Sequence, residues 1–254
     1  MATHVKQIII NADDLGWSHR VNVEALVLME AGKVTSATIM ANGPCWSEAI
    51  ALARSKSNLS FGVHLNLTSG RPLCPDGKLA PLLDDEGNFR KLESYGHLPH
   101  CALQGIFREL CAQVGRIQQS GVRISHLDSH QFIHTQPRFF GILKRLQHRF
   151  RIRKVRLSKN VYAPTKVLRS PTLLYRKAMW NFALRNLYRT KTTGGFTDFT
   201  TFMEVVPRRE LPNSTLELMV HPGNENYAAE TALLLSWRPQ DLPFTIRLIN
   251  YNEL

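Results

Sequence analysis

Gln7-Ile8-Ile9-Ile10-Asn11-Ala12-Asp13-Asp14-Leu15-Gly16 is the stretch that decides the fold of this chain. Gln7 to Ile10 is a β-branched run and predicts a short buried strand. Asn11 to Gly16 predicts a turn that ends it. Ser18 is placed to cap a helix that runs to Ala31 and stops at Gly32. Outward from there the alternation repeats. Strands are expected at Ser36–Ala41, Phe61–Leu67, Val122–Leu127, Lys154–Leu157 and Thr215–Val220, with a last one at Phe244–Ile249. Helices are expected from Pro44 to Ala53, from Pro99 to Gln119 and from Pro137 onward, and Thr68–Gly96 reads as a long functional loop. Strands alternating with helices predict parallel βαβ units. No internal repeat or linker interrupts them. The expected fold is therefore α/β, one TIM-like β/α barrel over residues 1–254, with its chemistry at the C-terminal ends of the strands.

Composition narrows the class. The chain has 254 residues and 43% hydrophobic content, enough for a packed core, so disorder is excluded as the main description. No apolar run is long enough for a membrane span, and the N-terminus does not read as a signal peptide. Cys45, Cys74, Cys101 and Cys111 form no CxxC pair and predict reduced thiols in a cytoplasmic setting.

The net charge of +12 is unevenly spread. Ser129–Thr197 holds sixteen Lys and Arg and no Asp or Glu, and the remainder carries sixteen cations against twenty carboxylates. This stretch reads either as a solvated basic face or as a site for anions such as phosphate or an anionic membrane surface. Within it, Leu173–Tyr188 mixes large apolar residues with Arg and Lys in no single stripe. That predicts a basic helical cap, at about 159–197, buried on more than one side.

Four polar clusters lie at predicted strand ends. They are Asp13-Asp14, His64 with Asn66, His126-Leu127-Asp128-Ser129-His130 with His134, and His221. Each alone has a structural reading: a turn, a cross-strand histidine, a rigid turn before Pro222-Gly223. Their coincidence points to chemistry. Neighbouring side chains at a strand end point apart, so one aspartate could bind a metal while the other faces the reacting centre. Asp128 could accept a ring N–H and set a histidine tautomer. His221 is a candidate general acid. A carboxylate with two imidazoles suits zinc or another transition metal better than magnesium.

Asn11–Gly16, Gly62-Val63-His64-Leu65-Asn66-Leu67-Thr68, His126–His130 and Val220-His221-Pro222-Gly223 resemble the motifs of the YdjC-like carbohydrate deacetylases, the family of chitooligosaccharide and hopanoid-biosynthesis deacetylases. Thr35-Ser36-Ala37-Thr38, Asn42-Gly43 and Gly70-Arg71-Pro72-Leu73 extend the likeness. The resemblance implies a distorted β/α barrel related to the polysaccharide deacetylases. It also implies metal-dependent removal of an acetyl group from an N-acetylated amino sugar. By position it implies Asp14, His64 and His130 as metal ligands, Asp13 as base and His221 as acid. Asn66, Arg71, His126, Asp128 and His134 would back the ligands or touch the substrate. The family is commonly assigned magnesium, so one divalent ion, zinc-type or magnesium, is expected. Phe132 stands where the family often has a further histidine.

The basic stretch suggests a sugar carrying phosphate or a lipid, and a homodimer stays open. The rival reading is a metal-dependent phosphoesterase on the same scaffold. Specific nucleic-acid binding would leave the strand-end clusters unexplained. A two-carboxylate glycosidase needs a separation of roughly 5–10 Å that adjacent Asp13 and Asp14 do not offer.

Overall fold

The computed structural model describes residues 5–163, 171–187, 189–207 and 214–254. Its centre is β1 (Lys6–Leu15). The strand does not end at Ile10 as expected. It stays paired through the aspartates, with Asn11 and Ala12 opposite Ser36 and Ala37 of β2 (Ser36–Ile39). On its other edge Ala12 lies opposite Val220 of β6 (Thr215–Val220). The expected turn is instead a register slip between Ala12 and Leu15, and Asp14 takes a φ of 65° there.

All strand pairs are parallel. The sheet runs β4 (Ile124–Ser129), β3 (Ser60–Leu65), β2, β1, β6 and β5 (Gly195–Asp198), and β7 (Ile246–Leu248) pairs with Lys6–Ile8 of β1. The sheet curls into a half-barrel. Residues 153–161 cross between its two edges. Leu127 N–H donates to Lys154 C=O, Arg156 N–H donates to Leu127 C=O, and Asn160 N–H reaches Phe196 C=O. The expected strand at Lys154–Leu157 is thus reduced to single bridges to Leu127 and Lys191.

Alternation along the strands sorts side chains between two regions. Ile8, Ile10 and Ala12 join the main apolar core, whereas Ile9 packs with Ile249 and Tyr251. Each isoleucine so buried contributes about 1.5–3 kcal/mol. The surrounding helices are α1 (His19–Glu30), α2 (Trp46–Ser55), α3 (His100–Gln119) and α4 (Phe140–Phe150), then α5 (Pro171–Asn186), α6 (Phe199–Val205) and α7 (Ala228–Ser236). Ser18 caps α1, its hydroxyl accepting Val21 N–H at 3.2 Å. β5, α6 and α7 were not expected from the sequence.

Loop 68–96 holds two short 3₁₀ turns, Gly77–Leu82 and Leu92–Ser94. Glu109 on α3 fixes it by accepting the N–H groups of Leu73 and Cys74 at 3.1 and 2.7 Å. The expected cap differs from its reading. Most of α5 is exposed, and only Trp180, Asn181 and Leu184 are buried. The stretch 164–170 within it lies outside the described residues. Among the described residues, no helix is long and apolar enough to cross a membrane.

Candidate active site

Asp13, Asp128 and Glu217 come from three different strands and share one cation. Arg156 is fully buried. Its Nη1 and Nη2 donate to Asp13 Oδ2 and Oδ1 at 2.6 and 2.7 Å. Nη1 also stands 2.9 Å from Asp128 Oδ2, and Nε donates to Glu217 Oε1 at 2.8 Å. The Tyr251 hydroxyl donates to the other Glu217 oxygen. Burial opposes ionisation of Asp13, but Arg156 and then His64 outweigh it and hold the carboxyl well below its usual range. For Glu217, burial wins over Arg156 and raises the carboxyl to about 7. One guanidinium against three carboxylates leaves this region short of positive charge.

His64 sits beside that cluster. Its Nδ1 lies 2.8 Å from Asp128 Oδ1, and register places His64 directly opposite Asp128. Thr38 Oγ1 donates to Asp128 Oδ2 at 3.0 Å and accepts from Asn11 Nδ2. Burial works against a proton on His64, but Asp128 and Asp13 overcome it and raise the ring to about 10. Its Nε2 stands 3.2 Å from Asp14 Oδ1. That contact lacks hydrogen-bond geometry, and Asp14 Oδ1 is buried with no hydrogen-bond partner. His130 completes the group. Its ring centroid is 6.1 Å from that of His64, and its Nδ1 lies 2.7 Å from Thr68 Oγ1. Burial lowers the proton affinity of His130, which favours the neutral, electron-donating ring.

These three residues fit a divalent cation. An orphaned carboxylate oxygen and an imidazole pulled towards protonation both mark a point that lacks positive charge. One oxygen and two nitrogen donors form an open set with room for other ligands. Among the described residues, the groups whose ligand atoms all lie within 4.8 Å of one another are Asp13, His64 and Asp128, and His126, Asp128 and Glu217; Asp14, His64 and His130 stand farther apart. The carboxylates of those two groups are already engaged by Arg156, whereas Asp14 Oδ1 has no hydrogen-bond partner.

His221 follows β6 and is the next position after the Ala12–Val220 pair. Its backbone N–H donates to Glu230 Oε1 at 2.7 Å, and its ring stacks on Tyr227 at 4.0 Å. Ring Nδ1 is 3.4 Å from the same Glu230 oxygen, an ion-pair distance rather than a hydrogen bond. Burial lowers its proton affinity, but Glu230, Asp13 and Asp14 raise it further, for a net upward shift.

The other expected residues separate into different roles. Asn66 organises the loop that carries Thr68. Its Oδ1 accepts Thr68 N–H at 2.9 Å, and its backbone is gripped by Gln113 of α3. His134 braces the backbone of Arg156, with Nε2 3.2 Å from its carbonyl. His126 stacks on Tyr251 with centroids 3.5 Å apart, under Gly62. A Cβ on Gly62 would meet that ring at 2.6 Å, which explains the glycine. His126 lies within β4, and His130 opens the 3₁₀ turn His130–Thr135 that follows it and contains His134, so the cluster straddles a strand end as expected. The Arg71 side chain is exposed, and its carbonyl accepts from Asn42 Nδ2 at 3.1 Å. Phe132 packs edge-on against Phe196 at 5.9 Å.

Sequence reasoning missed Arg156, Glu217, Thr38 and Tyr251. Arg156 is flanked by apolar Val155 and Leu157 in an expected strand, but Arg123 and Arg247 are flanked alike in theirs, so the pattern does not single it out.

The chain matches relatives consistent with this geometry. It is 38% identical over 146 residues to a carbohydrate deacetylase of Brevibacillus brevis, covering 58% of this chain and 57% of that protein. It is 39% identical over 160 residues to one of Geobacillus stearothermophilus, covering 62% and 63%. The match thus spans less than two thirds of either relative. A carbohydrate deacetylase of Listeria innocua is 30% identical over 221 residues, covering 85% of this chain and 81% of that protein. The fold is shared with a candidate cellobiose-phosphate cleavage protein of Enterococcus faecalis V583, at a TM-score of 0.77 and 23% identity over 98% of both chains. The profile of the YdjC-like protein family matches residues 7–245, and the chain belongs to that family.

Proposed function

We propose that this chain is a metal-dependent deacetylase that removes the acetyl group from an N-acetylated amino sugar and releases acetate. One observation carries the reading. Asp13 and Asp14 are adjacent, yet Asp13 is held by Arg156 and Asp14 faces His64. That separates a proton acceptor from a metal-binding anion, as amide hydrolysis requires. The names of the relatives support the carbohydrate substrate.

Asp14, His64 and His130 would hold one divalent ion, zinc-type or magnesium. That ion supplies Lewis-acid polarisation of the acetamide carbonyl and acidifies water. Asp13 takes the proton of the attacking water. Arg156 keeps Asp13 ionised and fixes its orientation. His221, whose proton affinity is raised, donates its proton to the departing amine. Asn66 holds Thr68 against His130, and Asp128 holds the His64 ring. We place the reaction in one domain over residues 1–254, in a cytoplasmic setting that the four free cysteines favour.

Acetate release from free, oligomeric, nucleotide-linked and lipid-linked N-acetylamino sugars, with and without a chelator, tests the reading. Chelator-sensitive acetate from one class is the expected result. Phosphate release from a sugar phosphate without any acetate would replace it with the phosphoesterase reading.

A further inference from the structure

Helix α5 has a mixed inward face and an exposed apolar row. Lys177, Trp180, Asn181 and Leu184 recur at i, i+3, i+4 and i+7 and turn towards the protein. Trp180 packs edge-on against Phe140 at 4.9 Å, and Asn181 exchanges hydrogen bonds with the Ser158 backbone at 3.0 and 3.2 Å. Tyr175, Ala178, Met179 and Phe182 recur at the same spacing on the opposite side. Tyr175, Met179 and Phe182 are 67, 51 and 65% exposed. Large side chains on both sides of the helix leave no single stripe, which is why the sequence reads as a helix buried on more than one side. Exposed aromatic and Met side chains in one row mark an interaction surface rather than scattered surface residues.

Charge selects the occupant. Helical spacing puts exposed Arg176 on one border of the outward row; Arg185, on the other border, donates to Thr192 Oγ1 and to the Thr193 and Gly194 carbonyls. The surrounding stretch, Ser129–Thr197, has no acidic residue and sixteen Lys and Arg, of which Arg156 and Lys144 are buried and Lys159 pairs with Asp198. We propose that this face docks on an anionic lipid surface. Tyr175, Met179 and Phe182 enter the boundary between headgroups and acyl chains, and Arg176 meets lipid phosphate. A second copy docked face to face would bring the arginines of both copies together with no local carboxylate to pair them. A nucleic acid would satisfy the cations and leave the apolar row without a partner. Tyr175 and Met179 also wall a groove of about 640 Å³ with Phe140 and Trp180. The groove reaches Thr135, next to His134, so the docked surface would adjoin the active-site end of the barrel. The proposal does not depend on the reaction assigned above.

Flotation with vesicles tests it. One set is phosphatidylcholine alone, and the other adds phosphatidylglycerol. The full chain should float with the anionic vesicles and not with the neutral ones. Replacing the row (Tyr175→Ser, Met179→Ser, Phe182→Ser) should cut binding about tenfold or more, and Arg176→Glu several-fold. These positions are exposed, so unchanged melting curves will separate lost docking from misfolding. Binding that the triple variant leaves intact, or no flotation at all, overturns the proposal. So does a dimer in sedimentation that the triple variant dissociates, which would make the row a self-interface. Duplex DNA binding in place of vesicle binding overturns it as well.

Discussion

Arg156 holds both oxygens of Asp13, at 2.6 and 2.7 Å, from 143 residues away in the chain. Its planar fork suits this two-point grip, which an ammonium cannot reproduce. The grip does two things. It keeps Asp13 ionised in a buried site, and it leaves Asp14 as the aspartate free to face the histidines.

Replacing Asp13 by Asn keeps shape and removes the proton acceptor. Turnover should fall about 10²- to 10⁴-fold, the usual worth of a general base. Bound metal, measured by elemental analysis after dialysis, should stay near the unmodified level. A variant with nearly full activity would remove Asp13 from its role.

Arg156→Ala strands Asp13, Asp128 and Glu217 without their cation. Breaking a buried charge cluster from one side costs about 3–5 kcal/mol, so denaturant unfolding should shift strongly. Arg156→Lys keeps a charge and loses the fork. It should unfold closer to the parent yet turn over far more slowly. Equal loss of stability and activity in both variants would argue for a purely structural arginine.

Asp14→Ala, His64→Ala and His130→Ala should each lose metal. Thr68→Val removes only the partner of His130 Nδ1 and should weaken metal affinity about 10- to 100-fold. Titration with zinc against a competing chelator reads both effects.

Glu217 should make stability depend on pH. Its folded carboxyl titrates at about 7, above the ordinary 4.5. The native state therefore binds more protons than the unfolded chain between those values. The stabilisation is full below the ordinary value and is lost as pH rises through about 7. Melting temperatures of Glu217→Gln should be flatter over that window than those of the parent. Parallel curves would contradict the assignment.

Gly62→Ala would drive a methyl group into the His126 ring and its backbone oxygen, at 2.6 and 2.8 Å. Overpacking of this kind costs about 1–3 kcal/mol. Thermal unfolding checks it.

Much of the fold was legible because strand and helix periods are local. Thr215–Val220 and His100–Gln119 lie where turn signals and apolar spacing predict them, to within a residue. β5 and α6 were not legible. Gly195–Asp198 is four residues long and joins α6 with no intervening turn, so no breaker separates them. Asp13 and Asp14 carry a turn signal, and only the pairing of β1 to β2 and β6 shows that the chain stays in the sheet through them.

The sequence by itself determined the alternation of strands and helices over most of the chain and the position of Asp13, Asp14, His64, His130 and His221 near strand ends. Those follow from local pattern and from the rule that parallel strands present their ends together. Only the tertiary structure decided which aspartate meets which partner, and that a cation from the basic stretch is buried inside the barrel. The same stretch holds Arg156, fully buried, and Tyr175, largely exposed. Composition gives both as one basic, aromatic segment. Their separation depends on a chain crossing between the sheet edges, where a guanidinium is stable only because three carboxylates from distant strands surround it.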